Sequence, residues 1–231
     1  IPLFLDLEYS YTWGEVAENI TRMDQTFLRS VLAEGENGLR ILPGPSAGQW
    51  PQPTASAEAI RECLQGLSEM FEYVVVEDNR GLDAVSEQVL QASSVQWLLM
   101  SLSVTGLARG KRHLDEAARL DSKAHERTRL AACKTVKGGE IGTEEAGEVL
   151  GKAVDLVIPE DLPSTLSCIN QGRPLAAGAP KSPVLKAVRR AAREIAGASQ
   201  PEEKAKSSSS SLFSKLGRSR KNGRGVIPQP A

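Results

Sequence analysis

Aromatic side chains make up only 4% of the 231 residues, and there are two histidines and three cysteines. The cysteines, Cys63, Cys133 and Cys168, lie far apart and form no C-x-x-C pair, while His113 and His125 have no ligand partners at a metal spacing. That excludes a zinc-type site and a disulfide framework, and leaves buried thiols in a reducing compartment. No run approaches the roughly 20 apolar residues of a membrane span. The first residues lack the basic, apolar, small-residue order of a leader, so the sequence reads as cytosolic. No internal repeat is visible. What is present is ordinary for a globular domain: 40% hydrophobic and 25% charged residues, too apolar for disorder over most of the length.

The formal net charge of −1 hides an asymmetry. From Lys181 onward there are twelve Lys and Arg against three Asp and Glu; the first 180 residues carry sixteen against twenty-six. An acidic body bears a basic tail.

Apolar runs alternate with helical patterns. "IPLFLDLE" reads as a strand ending in carboxylates, and its opening Ile suggests a fragment; "GLRILPGP", "YVVVED", "VQWLLMSLS", "RLAAC" and "VDLVIP" come after it as strands. Near-continuous apolar runs predict strands covered on both faces. Between them, Ala59, Cys63, Leu67 and Met70 share a helix face, as do Leu107, Leu114 and Ala118, and Val149 closes a shorter helix. A helix near 183–196 is expected to be capped by Ser182, with Pro183 in its first turn. Its predicted inward stripe is Val184, Val188, Ala192 and Ile195, and Lys186, Arg189, Arg190 and Arg193 lie on its other face. The pattern predicts an α/β domain over residues 1–197, a mostly parallel sheet with helices on both faces. Residues 198–231 read as a disordered, Ser-rich basic tail, with five serines from Ser207 to Ser211.

Three carboxylate pairs end predicted strands: Asp6 with Glu8, Glu77 with Asp78, and Glu160 with Asp161. Parallel strands bring their C-terminal ends to one edge, where open α/β sheets bind ligands. Acidic residues there either hold Mg²⁺ and orient an attacking water, or cap the helices next in the chain. Spacing leaves both readings open.

The order of these motifs resembles the ParA/MinD-type deviant-Walker ATPases. "LFLDLEYSYTWGEVA" is similar to their "LLVDLDxxxGD" segment, and "MFEYVVVEDNRGLDAVSEQVLQASSVQWLLMSLSVTGLARGKRHLD" to their Walker B segment with the strand and helix after it. "VIPEDLPSTLSCINQGRPL" resembles their base-side loop and closing helix. The strand pattern in "NGLRILPGP" and the order "YVVVEDNRGLD" are most similar to the CpaE/TadZ pilus-assembly branch. The resemblance covers residues 1 to about 197 and implies a P-loop NTPase-like fold with ATP and Mg as cofactors. It puts Asp6 and Glu8 in the catalytic D-x-D positions and Glu77 where the Walker B Asp holds Mg²⁺ through water. Cys133 stands at the adenine-reading Asn, Pro159, Glu160 and Asp161 in the adenine-side loop, and Asn170 with Gly172 in a structural Asn-x-Gly turn.

Departures from the pattern are as informative. No G-x-x-x-x-G-K-[ST] occurs in the sequence, and "GLARGK" at Gly106–Lys111 has the wrong spacing. On the resemblance, the family's first strand and phosphate loop would lie upstream of Ile1. Glu8 and Glu77 are each one methylene longer than Asp, which shifts a carboxylate by roughly 1.5 Å. Asn79 replaces a Pro, and a thiol at Cys133 lacks the paired donor and acceptor of an amide. Weak or absent ATP hydrolysis is therefore expected.

The resemblance implies a localisation or assembly factor of a Flp/Tad-type pilus or related secretion system. It would be cytoplasmic, peripheral at the inner membrane or cell pole, and would act through protein partners and as a homodimer. The alternative is an active dimerisation switch for division-site or plasmid positioning. Nucleic acid is the less expected partner, since a solvated helix face and a solubilising tail account for the basic residues. In the tail, Leu212, Phe213 and Leu216 beside Lys215, Arg218, Arg220, Lys221 and Arg224 form a candidate partner or anionic-membrane contact. The membrane contact would be weak, because each basic residue adds at most about 1 kcal/mol.

Overall fold

The computed structural model describes residues 2–18, 24–44, 56–78, 82–136 and 138–197. Its centre is a three-stranded parallel sheet in the order β3-β4-β5, made of Gln96–Met100, Thr128–Thr135 and Val154–Pro159. The runs "VQWLLMSLS", "RLAAC" and "VDLVIP" thus form strands as expected. A separate two-stranded antiparallel pair joins β1 (Ala33–Glu34) to β2 (Arg40–Ile41).

Helices cover both faces of the sheet. On one face, α5 (Val104–Leu120) and α7 (Thr143–Leu150) pack Leu107, Leu114, Ala146 and Leu150 onto Met100 and the fully buried Leu130. Ser103 caps α5 by accepting from the Gly106 N–H at 3.1 Å. Gly110 lets that helix approach closely, since a Cβ there would stand 3.3 Å from the Met100 sulfur. On the other face, α10 (Pro183–Ile195) lays Leu185 and Ala191 over the sheet, with Ala191 packed against Ala131 and Leu156. There Arg129 lies over the Trp97 ring at 5.8 Å and pairs with Glu194 at 3.7 Å.

A second core holds α3 (Ala57–Met70) against α1 (Trp13–Glu18), α2 (Gln25–Val31) and α4 (Ala84–Ala92). Val16, Leu28, Val31, Cys63 and Leu67 are buried together. Ser56 caps α3 by accepting from Ala59 at 3.1 Å, and Asp83 caps α4 by accepting from Val85 and Ser86. Burial pushes the Cys63 thiol up to about 11, so it is an inert core group.

Several expectations need correction. "IPLFLDLE" is not a strand: Pro2–Leu5 form a 3-10 turn, and Asp6 takes a left-handed φ of 49°. This turn lies beside α8 (Leu162–Asn170) and joins no ladder among the described residues. "YVVVED" forms no regular element and belongs to no ladder among the described residues. The parallel strands are not all covered on both faces: β4 is, while Leu99 on β3 and Val157 on β5 are exposed.

The helix faces are also displaced. Ala117, not Ala118, is buried in α5, and Leu150, not Val149, in α7. In α10 the expected stripe is off by one position: Leu185 and Ala191 are buried, Val184 is half-buried, and Val188, Ala192 and Ile195 are exposed. Ala191 and the half-buried Ala187 face the sheet cluster, and their small side chains let the helix lie close to it. Ser182 stands at the N-cap position of α10, but its hydroxyl makes no cap bond.

Candidate functional site

Because β3, β4 and β5 run parallel, their C-terminal ends share one edge. Register brings Cys133 opposite Ile158 and Thr135 opposite Pro159. Between them Lys134 takes a left-handed φ of 54°, the extra residue of a bulge that bends the end of β4. Thr135 fastens the edge, its hydroxyl donating to the Ile158 carbonyl at 3.3 Å and its own carbonyl accepting from the Glu160 N–H at 3.0 Å. Cys133, Pro159 and Glu160 are therefore neighbours.

Cys133 is half-buried, with its thiol 3.8 Å from the Ala131 carbonyl. Burial raises its pKa; a hydrogen bond from the Met100 backbone and the Lys134 charge offset this only in part. The group is a neutral thiol at neutral pH.

Asp161 is committed on both carboxylate oxygens. Oδ1 accepts from the Ser164 N–H at 3.3 Å, capping α8, and Oδ2 accepts from the Ser182 hydroxyl at 2.6 Å. The Ser182 bond first, then those to Ser164, hold its carboxyl below the ordinary 3.8. At this residue the helix-cap reading is the one realised. The sequence reading missed Ser164 and Ser182 as its partners, although Asp161 followed by Pro163 and Ser164 is a legible helix start.

At the far end of α8, Gly172 has a φ of +60°, so the Asn170–Gly172 turn uses glycine as expected. A Cβ there would lie 2.6 Å from the Cβ of Asp6. Asp6 is thereby packed against the C-terminal end of α8. Glu8 lines an open depression of about 440 Å³ with Leu7, Tyr9 and Ser10.

Glu77 and Asp78 line a different cavity, of about 430 Å³, whose walls include Ile60, Leu64, Val74 and Val76. Asp78 also acts across to α5. His113, half-buried on that helix, has its pKa lowered by burial, against which Glu116 and then Asp78 pull it upward. Among the described residues no group of three His, Cys, Asp or Glu side chains is placed to hold a metal ion, Glu77 included. No described helix is long and apolar enough to cross a membrane. Asn79 and the tail residues Leu212, Phe213, Leu216, Arg218, Arg220 and Lys221 lie outside the described residues.

No protein-family model matches the chain, and no curated protein matches it. Solved structures do. A ParA family ATPase from Chlorobium tepidum TLS superposes with a TM-score of 0.76 at 18% identity, over 82% of this chain and 79% of that one. MinD cell division protein from Aquifex aeolicus gives 0.69 at 17% identity, over 87% and 81%. MinD from Pyrococcus horikoshii OT3, complexed with Mg-ADP, gives 0.67 at 19% identity, over 84% and 77%. The chain has the ParA/MinD fold.

At this edge Cys133 presents a thiol, and the Asp161 carboxylate accepts from the Ser164 N–H and the Ser182 hydroxyl.

Proposed function

We propose that this protein is a localisation or assembly factor of a Flp/Tad-type pilus or related secretion system. In this reading the ParA/MinD fold carries a degenerate nucleotide site and works mainly by binding protein partners and pairing with itself. The observation that carries it is the state of the β4 and β5 ends: a neutral thiol at Cys133, the position the resemblance gives to an adenine-reading amide, and an Asp161 carboxylate tied to Ser182. The CpaE/TadZ-like order of "NGLRILPGP" and "YVVVEDNRGLD" supports the pilus branch. Partner binding is the mode of an Aquifex aeolicus relative in fold, seen as a MinC:MinD complex.

The test is genetic and microscopic, in the native host. Deleting the gene abolishes surface pili, and a fluorescent fusion that restores them gathers at a pole or at the inner membrane. Normal piliation in the deletion strain, with defects in division-site placement or plasmid retention, would instead support the active switch of the MinD and ParA type.

A further inference from the structure

Two helices on opposite faces of the sheet carry opposite charge. On α7 the buried residues are Ala146 and Leu150, while Glu144, Glu145 and Glu148 are exposed. At the helical spacing these three carboxylates cluster on the side turned away from the sheet. On α10 Leu185 and Ala191 are buried, and Lys186, Arg189, Arg190 and Arg193 are exposed on the side turned outward. The one acidic residue of α10, Glu194, pairs with Arg129 at 3.7 Å and with Arg190 at 4.0 Å. Glu148 lies in the last turn of α7, where the helix dipole disfavours a carboxylate and where that helix supplies no basic residue of its own.

The two sets match in spacing and direction. The glutamates of α7 stand at i, i+1 and i+4, and so do Arg189, Arg190 and Arg193. Helix α7 runs from beyond the end of β4 to the start of β5. Helix α10 begins at Ser182, bonded to Asp161 just past the end of β5, and returns to Glu194 beside Arg129 at the start of β4. The helices are therefore parallel to one another. Both pack on β5, so neither charged face borders the outer edge of β3, where a further strand could join the sheet. Shifting the molecule perpendicular to its sheet lays α10 of one copy along α7 of the next. Face to face, Arg193 comes opposite Glu148, Arg189 opposite Glu145 and Arg190 opposite Glu144.

We propose that this chain associates with itself head to tail, the acidic face of α7 on one copy taking the basic face of α10 on the next. The two surfaces differ, so the contact does not close on itself and builds an open row of copies. Exposed ion pairs are individually weak and screened by salt. The contact has a dissociation constant on the order of 0.1 mM, and the row forms where the protein is locally concentrated. None of this rests on the pilus reading.

Sedimentation velocity on the full chain tests this. At about 0.1 M salt the weight-average mass is expected to rise at least about twofold between about 10 μM and about 300 μM protein. The rise should vanish at about 1 M salt, where the Debye length falls from about 10 Å to about 3 Å. Glu144→Lys with Glu145→Lys and Glu148→Lys should abolish it, as should Arg189→Glu with Arg190→Glu and Arg193→Glu. A protein with all six changes has its charges exchanged between the two faces. It should associate with itself as the wild type does, but not with the wild type. Circular dichroism checks each fold, and the milder variant Glu144→Gln, Glu145→Gln and Glu148→Gln should also stay monomeric. A wild-type mass that is constant over that range at low salt would overturn the proposal, and so would association that survives the Gln changes on α7 or the Glu changes on α10. Association lost when Lys215, Arg218, Arg220 and Lys221 are changed to Gln, yet kept when Arg189, Arg190 and Arg193 are changed, would overturn it too. The glutamates would then belong to the basic tail.

Discussion

The Ser182 hydroxyl donates to Asp161 Oδ2 at 2.6 Å, tying the start of α10 to the start of α8 across 21 residues of chain. The same carboxylate caps α8 through Ser164. One side chain therefore positions both of these helices after β5, while Ser182 makes no side-chain cap bond to its own helix.

Replacing Asp161 by Ala removes both bonds. We expect Tm to fall by about 2–4 °C, a typical loss for one cap in a domain of this size, measured by calorimetry at neutral pH. The pH dependence comes from the lowered carboxyl pKa. A group depressed in the folded state stabilises above its unfolded value, 3.8, and that contribution is lost as pH falls through the lowered folded value. Asp161→Asn, which keeps an acceptor but cannot titrate, should flatten the acid limb of the stability curve below about pH 4. An unchanged acid limb would show that the carboxylate is not held as described.

His113 reports on how the 71–78 segment sits against α5. Its pKa lies below 6.5 because burial outweighs the pull of Glu116 and Asp78. NMR titration should show this, with Asp78→Asn lowering it further and Glu116→Gln lowering it more. Since the folded value is depressed, the histidine costs stability as pH falls from 6.5 through that value. His113→Gln should remove that loss in urea unfolding. A His113 that titrates the same with and without Asp78 would separate the segment from α5.

Gly172→Ala places a Cβ where Asp6 already stands and forces a left-handed backbone on alanine. The backbone alone costs roughly 1–2 kcal/mol. Chemical denaturation should show at least that loss, and limited proteolysis should cut sooner near residues 6–10 as the N-terminal turn is pushed off α8. Wild-type stability in the variant would mean that the turn does not rest there.

How much of this was legible depends on where the partner of each residue lies. Strands β3, β4 and β5 could be read because runs such as "VQWLLMSLS" and "VDLVIP" have few other places to go than a covered sheet. The fold class came from their alternation with helices. "LFLDLE" and "YVVVED" have the same local character yet join no ladder among the described residues, since a strand exists only where a neighbouring edge accepts it. The helix faces were right where the stripe is large and continuous, as in Ala59, Cys63 and Leu67, and slipped by one in α10, where alanines face the sheet. At the site, Pro159 and Glu160 could be placed at the C-terminal edge because they close an apolar run of a parallel sheet, whereas Cys133 was set near them only by the family resemblance. The link from Asp161 to Ser182 spans a helix and a turn, and no local spacing encodes it.

The proposal that this ParA/MinD fold carries a degenerate nucleotide site is tested most directly by titrating the purified chain with Mg²⁺ and ATP in a calorimeter while assaying phosphate release. We predict no saturable binding up to about 1 mM and no turnover above background, with Glu8→Ala and Glu77→Ala indistinguishable from wild type. Micromolar binding lost in Glu77→Ala, or turnover abolished by Glu8→Ala, would contradict it.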